Sequence, residues 1–247
     1  MRAAVISDIH GNLEALSSVI ADIRNKNIDK VICLGDVVGY GPNPNECIEI
    51  VRKECDYCII GNHEAAVFDA LISQEFNDLA KSAIEWTRDN LNSKSIEFIN
   101  SLAMIKEEGD FTSVHSTPYE PHLWYYISSM EDAIFNFNFF KTKFCLIGHT
   151  HVPGVIVMEG NRQEISVLQP ISFNYEKDFR EDAKFIVNVG SVGQPRDKNS
   201  RACYAIIDTS RKNISLQRVP YDIAQYQRKM RIAQMPDFLI QRVAEGV

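Results

Sequence analysis

Eight residues able to bind a metal or move a proton stand where hydrophobic runs end. The segments are Ser7-Asp8-Ile9-His10, Leu34-Gly35-Asp36, Ile60-Gly61-Asn62-His63, Val114-His115-Ser116 and Ile147-Gly148-His149-Thr150-His151. Of the six histidines, only His122 lies outside them. A lone strand-end histidine is more often a satisfied structural residue, but a whole set repeating one placement is a candidate site. Asp8 and His10 are two apart, as are His149 and His151, so each pair can point the same way from an extended chain. Mixed carboxylate, amide and imidazole donors suit Mn²⁺ first, with Fe, Zn²⁺ or Ni²⁺ as alternatives, better than a dedicated Ca²⁺ cage. The set exceeds the needs of one tetrahedral ion and suffices for two that share a carboxylate, for which Asp36 is the candidate. Two such ions about 3.5–4 Å apart can acidify a bridging water and aim it at phosphorus. The leaving oxygen then needs a proton, which His63, beside Asn62, is placed to supply. No serine or cysteine shows a nucleophile–base arrangement, so direct attack by the bridging water or hydroxide is the expected route.

The apolar runs that deliver these residues read as strands. Arg2–Ser7, Lys30–Leu34 and Tyr57–Ile60 alternate with helices from Asn12 to about Asn25 and from Pro44 to about Lys53. A β-α-β-α-β start predicts parallel pairing with functional loops at the strand C-termini. Residues 64–105 read as helical throughout. Phe111–Val114 and Phe144–Ile147 are further strands, with a helix around Glu131–Phe139 between them. After His151 the pattern turns antiparallel. A hairpin is expected from Gly154–Met158 and Glu164–Leu168, then strands at Phe185–Val189, Cys203–Asp208 and Ile214–Arg218. Two mixed sheets with helices outside fit this order, in an α/β chain forming one domain over 1–247. The tail 221–245 is an amphipathic helical segment broken near Pro236, expected to pack on the body or on a sister subunit.

Bulk composition narrows the function classes. A chain of 247 residues with 45% hydrophobic content can bury a sizeable core. A net charge of −7 without a basic face argues against a nucleic-acid polymer as partner. No apolar run has membrane-span length and the N-terminus does not read as a signal peptide, so a cytoplasmic location is expected. Cys55-Asp56-Tyr57-Cys58 lacks a second pair and reads as two unrelated thiols.

In combination and order, Asp8-Ile9-His10, Gly35-Asp36-Val37-Val38-Gly39, Gly61-Asn62-His63-Glu64, Val114-His115-Ser116 and Gly148-His149-Thr150-His151 resemble the calcineurin-like metallophosphoesterase family. The resemblance extends to about residue 207. Within the family the chain is similar to the compact bacterial and archaeal phosphodiesterase/phosphatase branch, also through Asn188-Val189-Gly190-Ser191-Val192-Gly193-Gln194-Pro195-Arg196. It implies a four-layer α/β/β/α sandwich and a binuclear centre, with Asp8, His10, Asp36 and His151 on one metal and Asp36, Asn62, His115 and His149 on the other. His63 corresponds to the family's proton-donating or transition-state-stabilising histidine. Family protein phosphatases carry an Asp-Arg-Gly element where this chain has Gly39-Tyr40-Gly41, so their phosphate-binding arginine is missing.

That absence tilts the reading toward a small phosphodiester substrate. A phosphomonoesterase using the same site and a non-catalytic metal-bearing scaffold are the alternatives. Arg196, Tyr40, Asn43 and His122 are the substrate-contact candidates, each weighed against a turn-stabilising or solvated role. The aromatic stretch Tyr119–Tyr126 is read as a substrate wall or as a packing surface. Glu64 is read as opening a helix or orienting His63.

Overall fold

The computed structural model describes residues 1–160, 164–168, 172–174 and 181–247. Its first strand, Arg2–Ile6 (β1), alternates between two buried faces: Ala3 and Val5 turn one way, Ala4 and Ile6 the other. The helix Leu13–Arg24 (α1) starts where Asn12 Oδ1 accepts the Ala15 N–H, and buries Leu16, Val19, Ile20 and Ile23 beside Ala4 and Ile6. Lys30–Cys33 (β2), Pro44–Glu54 (α2) and Tyr57–Cys58 (β3) complete the expected crossover units, with β1, β2 and β3 parallel.

The segment 64–105 departs from one continuous helical stretch. It divides into Asn62–Phe68 (α3), Ala70–Gln74 (α4), Asp78–Asn90 (α5) and Ser93–Asn100 (α6). Each break carries a cap: Asp69, Asn77 and Asn92 accept the N–H groups of Leu71, Ala80 and Ser95. Ile105–Glu108 (β4) follows as an unforeseen edge strand, paired with Phe111–Val114 (β5). A short 3₁₀ turn at Pro121–Leu123 and the helix Met130–Asn136 (α7) lead to Phe144–Ile147 (β6).

The antiparallel half contains Gly154–Glu159 (β7), Glu164–Leu168 (β8), a short Ser172–Asn174 (β9), Lys184–Asn188 (β10), Ala202–Asp208 (β11) and Asn213–Val219 (β12). The expected β7–β8 pairing forms, while positions 161 and 162 of its turn lie outside the described residues. Among the described residues two mixed six-stranded sheets result, in the orders β3-β2-β1-β11-β12-β9 and β4-β5-β6-β10-β7-β8. Between them Val5, Ile32 and Leu34 meet Phe144, Leu146 and Phe185. Behind the second sheet Cys145, Ile147 and Ile186 pack on Ala133, Phe137 and Phe140. The layers are therefore α/β/β/α. The tail forms Ile223–Ile232 (α8) and Asp237–Glu245 (α9), divided at Pro236, and packs on the body. Tyr226, Met230 and Leu239 share a core with Ala80, Ala83 and Tyr40. No helix among the described residues is long and apolar enough to cross a membrane.

Candidate metal centre

The two sheets bring their parallel strands' C-terminal ends together, and the strand-end residues converge there. β1, β2 and β3 present Asp8, His10, Asp36 and Asn62; β5 and β6 present His115, His149 and His151. The loops after β1 and β2 run side by side, with the N–H groups of Asp8, His10 and Gly11 donating to the carbonyls of Gly35, Asp36 and Val37. The extended geometry expected for the Asp8/His10 and His149/His151 pairs does not occur. Asp8, His10, Asp36, His149 and His151 have φ of 53°, 51°, 51°, 66° and 61°. Past the end of a strand the chain must turn inward to aim a side chain between the sheets, and the left-handed conformation does this within one residue. Such backbone costs about 1–3 kcal/mol per non-glycine residue and persists where its surroundings enforce it.

The donor atoms form two clusters, Asp8/His10/Asp36/His151 and Asp36/His115/His149, each within 4.8 Å. Asp36 Oδ2 lies 3.6 Å from His10 Nε2 and 3.3 Å from His115 Nε2, so one oxygen faces both. Asp8 Oδ1 is 3.3 Å from His151 Nε2, and Asn62 Oδ1 is 3.1 Å from His115 Nε2. The remaining ring nitrogens face backbone carbonyls. Nδ1 of His10, His115 and His151 bonds Val38, Leu34 and Gln194, while Nε2 of His149 bonds Trp124. A carbonyl only accepts, so these nitrogens carry the proton; His149 therefore offers Nδ1 to its cluster and the other three offer Nε2.

Two consequences test whether cations fit. Burial holds His10 and His151 below the ordinary imidazole range, yet their Nε2 atoms face each other at 3.1 Å. With both Nδ1 protons committed elsewhere, lone pair opposes lone pair, and a cation coordinated by both relieves the conflict. At the second cluster burial opposes charge on His115, but Asp36 and Asp8 lift its pKa to about 10. Burial likewise works against charge on Asp8 and Asp36, where the facing imidazoles prevail and hold both carboxyls below their usual range. Both clusters attract positive charge, and the mixed oxygen and imidazole donor set suits divalent transition metals.

His63 lies beside the clusters, its ring 4.6 Å from those of His10 and Tyr40 and 4.9 Å from that of Phe76. Burial pushes its pKa down to about 4, against the pull of Asp36, and its buried Nδ1 has no hydrogen-bond partner among the described residues. A 130 Å³ cavity is lined by Asp36, Asn62, His63, His149 and His151, together with Tyr40 and Arg196. Arg196 Nη2 is held by Gln194 Oε1, and its guanidinium carbon is 6.0 Å from the Tyr40 ring centre. His122 lines a neighbouring recess instead. Asn43 does not line this cavity: its side chain turns to Glu46 at the start of α2, 3.0 Å away.

One residue central to the geometry reads in the sequence only as a helix opener or a partner of His63. The buried Glu64 carboxylate accepts the N–H groups of Asp36, Val37, Val38 and Gly61 at 2.7–3.0 Å. It thereby ties the Asp36 turn to the start of α3. The signal was present in a carboxylate three residues past Gly61, but its partners on the β2 loop are main-chain groups with no mark in sequence.

Fold and clusters together define a binuclear metal-binding site of the phosphoesterase kind. The chain belongs to the calcineurin-like phosphoesterases, whose family model matches residues 1–153. It is 37% identical to the uncharacterized protein MJ0912 of Methanocaldococcus jannaschii over 98% of this chain and 97% of that one. The crystal structure of a metallophosphoesterase from Sphaerobacter thermophilus superposes with TM-score 0.85 at 36% identity, covering 100% of both chains. Hypothetical protein PH1004 from Pyrococcus horikoshii OT3 shares the fold at TM-score 0.79 and 18% identity, covering 100% of this chain and 98% of that one.

Proposed function

We propose that the protein hydrolyses small phosphodiesters with two divalent cations, Mn²⁺ being the first choice. Asp8, His10, Asp36 and His151 would hold one cation, and Asp36, Asn62, His115 and His149 the other. When bound, such a pair neutralises charge on phosphoryl oxygens and brings the pKa of a water toward neutrality. The chain's own residues position the ester and handle its leaving group. Arg196 and Tyr40 contact the phosphoryl oxygens from the cavity wall, taking the place of the arginine that Gly39-Tyr40-Gly41 lacks. His63 is neutral with its pKa at about 4, and would take up a proton as a bound phosphoryl anion lifts that pKa. It then donates this proton to the leaving oxygen, its ring held by Tyr40 and Phe76. The observation that carries the reading is that one cavity is lined by His63 and by members of both clusters, Asp36, His149 and His151.

A phosphomonoesterase is the second reading, favoured by Arg196: among the described residues no carboxylate pairs with it, and a monoester brings an extra charge to match. Mn²⁺-loaded protein assayed on a bis(aryl) phosphodiester and the matching monoester, beside His63→Ala, separates these readings. Faster diester turnover, with the variant keeping its metal and losing about 10²-fold in kcat, is expected. Faster monoester turnover favours the second reading. Equal, very low rates from both proteins would leave only a metal-bearing scaffold.

A further inference from the structure

Beside the 130 Å³ cavity lies a recess of 440 Å³ whose character is different. Leu71, Ile72, Phe76, Leu123, Trp124 and Tyr126 give it apolar and aromatic walls. Asn62, Phe76, Tyr126 and His149 line both spaces, so the recess opens from the point where a phosphoryl group would sit. Its outer wall is fixed by a candidate metal ligand. The Trp124 carbonyl accepts the His149 Nε2 proton at 2.9 Å, and the Tyr126 ring stacks on the His149 ring at 4.1 Å and 19°. The turn that places these groups is bracketed by left-handed residues, Glu120 at φ 41° and Trp124 at φ 54°. A wall tied in this way to His149 holds its distance from the reacting centre.

We infer that this recess binds a planar, uncharged aryl or heteroaryl substituent of the ester, and so sets specificity on the proposed phosphoesterase reading, on which the inference rests. The volume falls within the roughly 300–1,000 Å³ of small-molecule sites, in which apolar walls supply the binding surface and a few polar groups orient the ligand. Aromatic side chains such as Trp124 and Tyr126 reward a flat partner by stacking or edge contact. Charge sets the direction of binding. Arg196 lines the smaller cavity and not the recess, so it and any bound cations draw the phosphoryl end there, while Glu75, which lines both spaces, offers no partner to a second anionic group. Glu75 and His122 offer hydrogen-bonding partners to ring heteroatoms or amino groups at the rim.

The test measures binding rather than turnover. Full-length, Mn²⁺-loaded protein is titrated calorimetrically with phenylphosphonate and with methylphosphonate, which share an anionic head and differ in the ring. The wild type is expected to bind the phenyl compound about tenfold more tightly. Leu71→Glu and Leu123→Glu, at positions 70% and 43% exposed and so compatible with folding, place a carboxylate in the wall. In each the preference should fall to about twofold or less. An equal affinity for both phosphonates in the wild type, or an undiminished preference in both variants, overturns the inference. Ring preference without turnover of any ester would retain the recess and remove the hydrolase reading; turnover without ring preference would do the reverse.

Discussion

The Glu64 carboxylate stands behind the Asp36 turn, and its four main-chain bonds make it the residue whose loss should be felt furthest. Glu64→Ala would leave those N–H groups buried without an acceptor, at about 1–3 kcal/mol for each one that finds no replacement. The expected outcome is at least about 3 kcal/mol of lost stability in metal-stripped protein, measured by urea denaturation, with Mn²⁺ affinity at least about tenfold weaker. Glu64→Gln should fall between, because its amide oxygen still accepts while its NH₂ faces other donors. An alanine variant with wild-type stability and metal affinity would refute the positioning role. The same residue shows where sequence reading stops. Asp8, Asp36, Asn62 and the strand-end histidines were legible because residue type and position at the end of an apolar run are both written in the chain. Hydrogen bonds to backbone are not, so Glu64 was ambiguous; Asn43 reads as a substrate contact because the turn of its side chain to Glu46 is equally unmarked in sequence. The left-handed backbone at Asp8, His10, His149 and His151 was equally hidden, since such conformations ordinarily announce themselves through glycine.

Among the elements, the turn after β2 determines where His63 can stand. Gly39 has φ +85°, and a Cβ built there would lie 2.1 Å from His63 Nδ1. Gly39→Ala must therefore strain the turn or push the imidazole aside, and a displacement of about 1 Å can cost up to about 10² in rate. Turnover is expected to fall at least about tenfold, with a smaller effect on metal content measured by atomic absorption. Gly109→Ala in the β4–β5 turn is the control, because φ is +59° there and nothing lies within 4 Å of the added carbon. It should lose about 1 kcal/mol of stability and no activity. Equal kinetics for both variants would show that the close approach to His63 has no catalytic weight. Element boundaries were legible in proportion to their patterning. Strands buried on both faces declared themselves as apolar runs, whereas the breaks at Asp69, Asn77 and Asn92 escaped the reading of 64–105 as helical throughout, although each carries a cap residue. The edge strand Ile105–Glu108 buries no face, and its Lys106-Glu107-Glu108 has no alternation to detect.

At the scale of the whole molecule, the clusters join elements that sequence separates. One sheet contributes Asp8, His10, Asp36 and Asn62, and the other contributes His115, His149 and His151, so bound cations would link the sheets at one end. The apolar layer between them already holds the fold, with Val5, Ile32, Leu34, Phe144, Leu146 and Phe185 buried in it. Metal removal should consequently lower stability without unfolding the protein. A ligand at 100 times its Kd stabilises the native state by about 2.7 kcal/mol, and 1 kcal/mol shifts Tm by roughly 2–4 °C in a chain near this size. Chelation with EDTA should therefore lower Tm by about 5–10 °C, and titration with Mn²⁺ should restore it. Asp36→Asn is the decisive variant because both clusters draw on Asp36 Oδ2. The amide removes the shared charge with little change in volume, so most of the Mn²⁺-dependent shift should vanish, while the chelated variant should melt somewhat below the chelated wild type because His115 loses its charged partner. A Tm indifferent to EDTA and Mn²⁺, or an Asp36→Asn protein with the full metal-dependent shift, would show that the two sheets are not joined through this carboxylate.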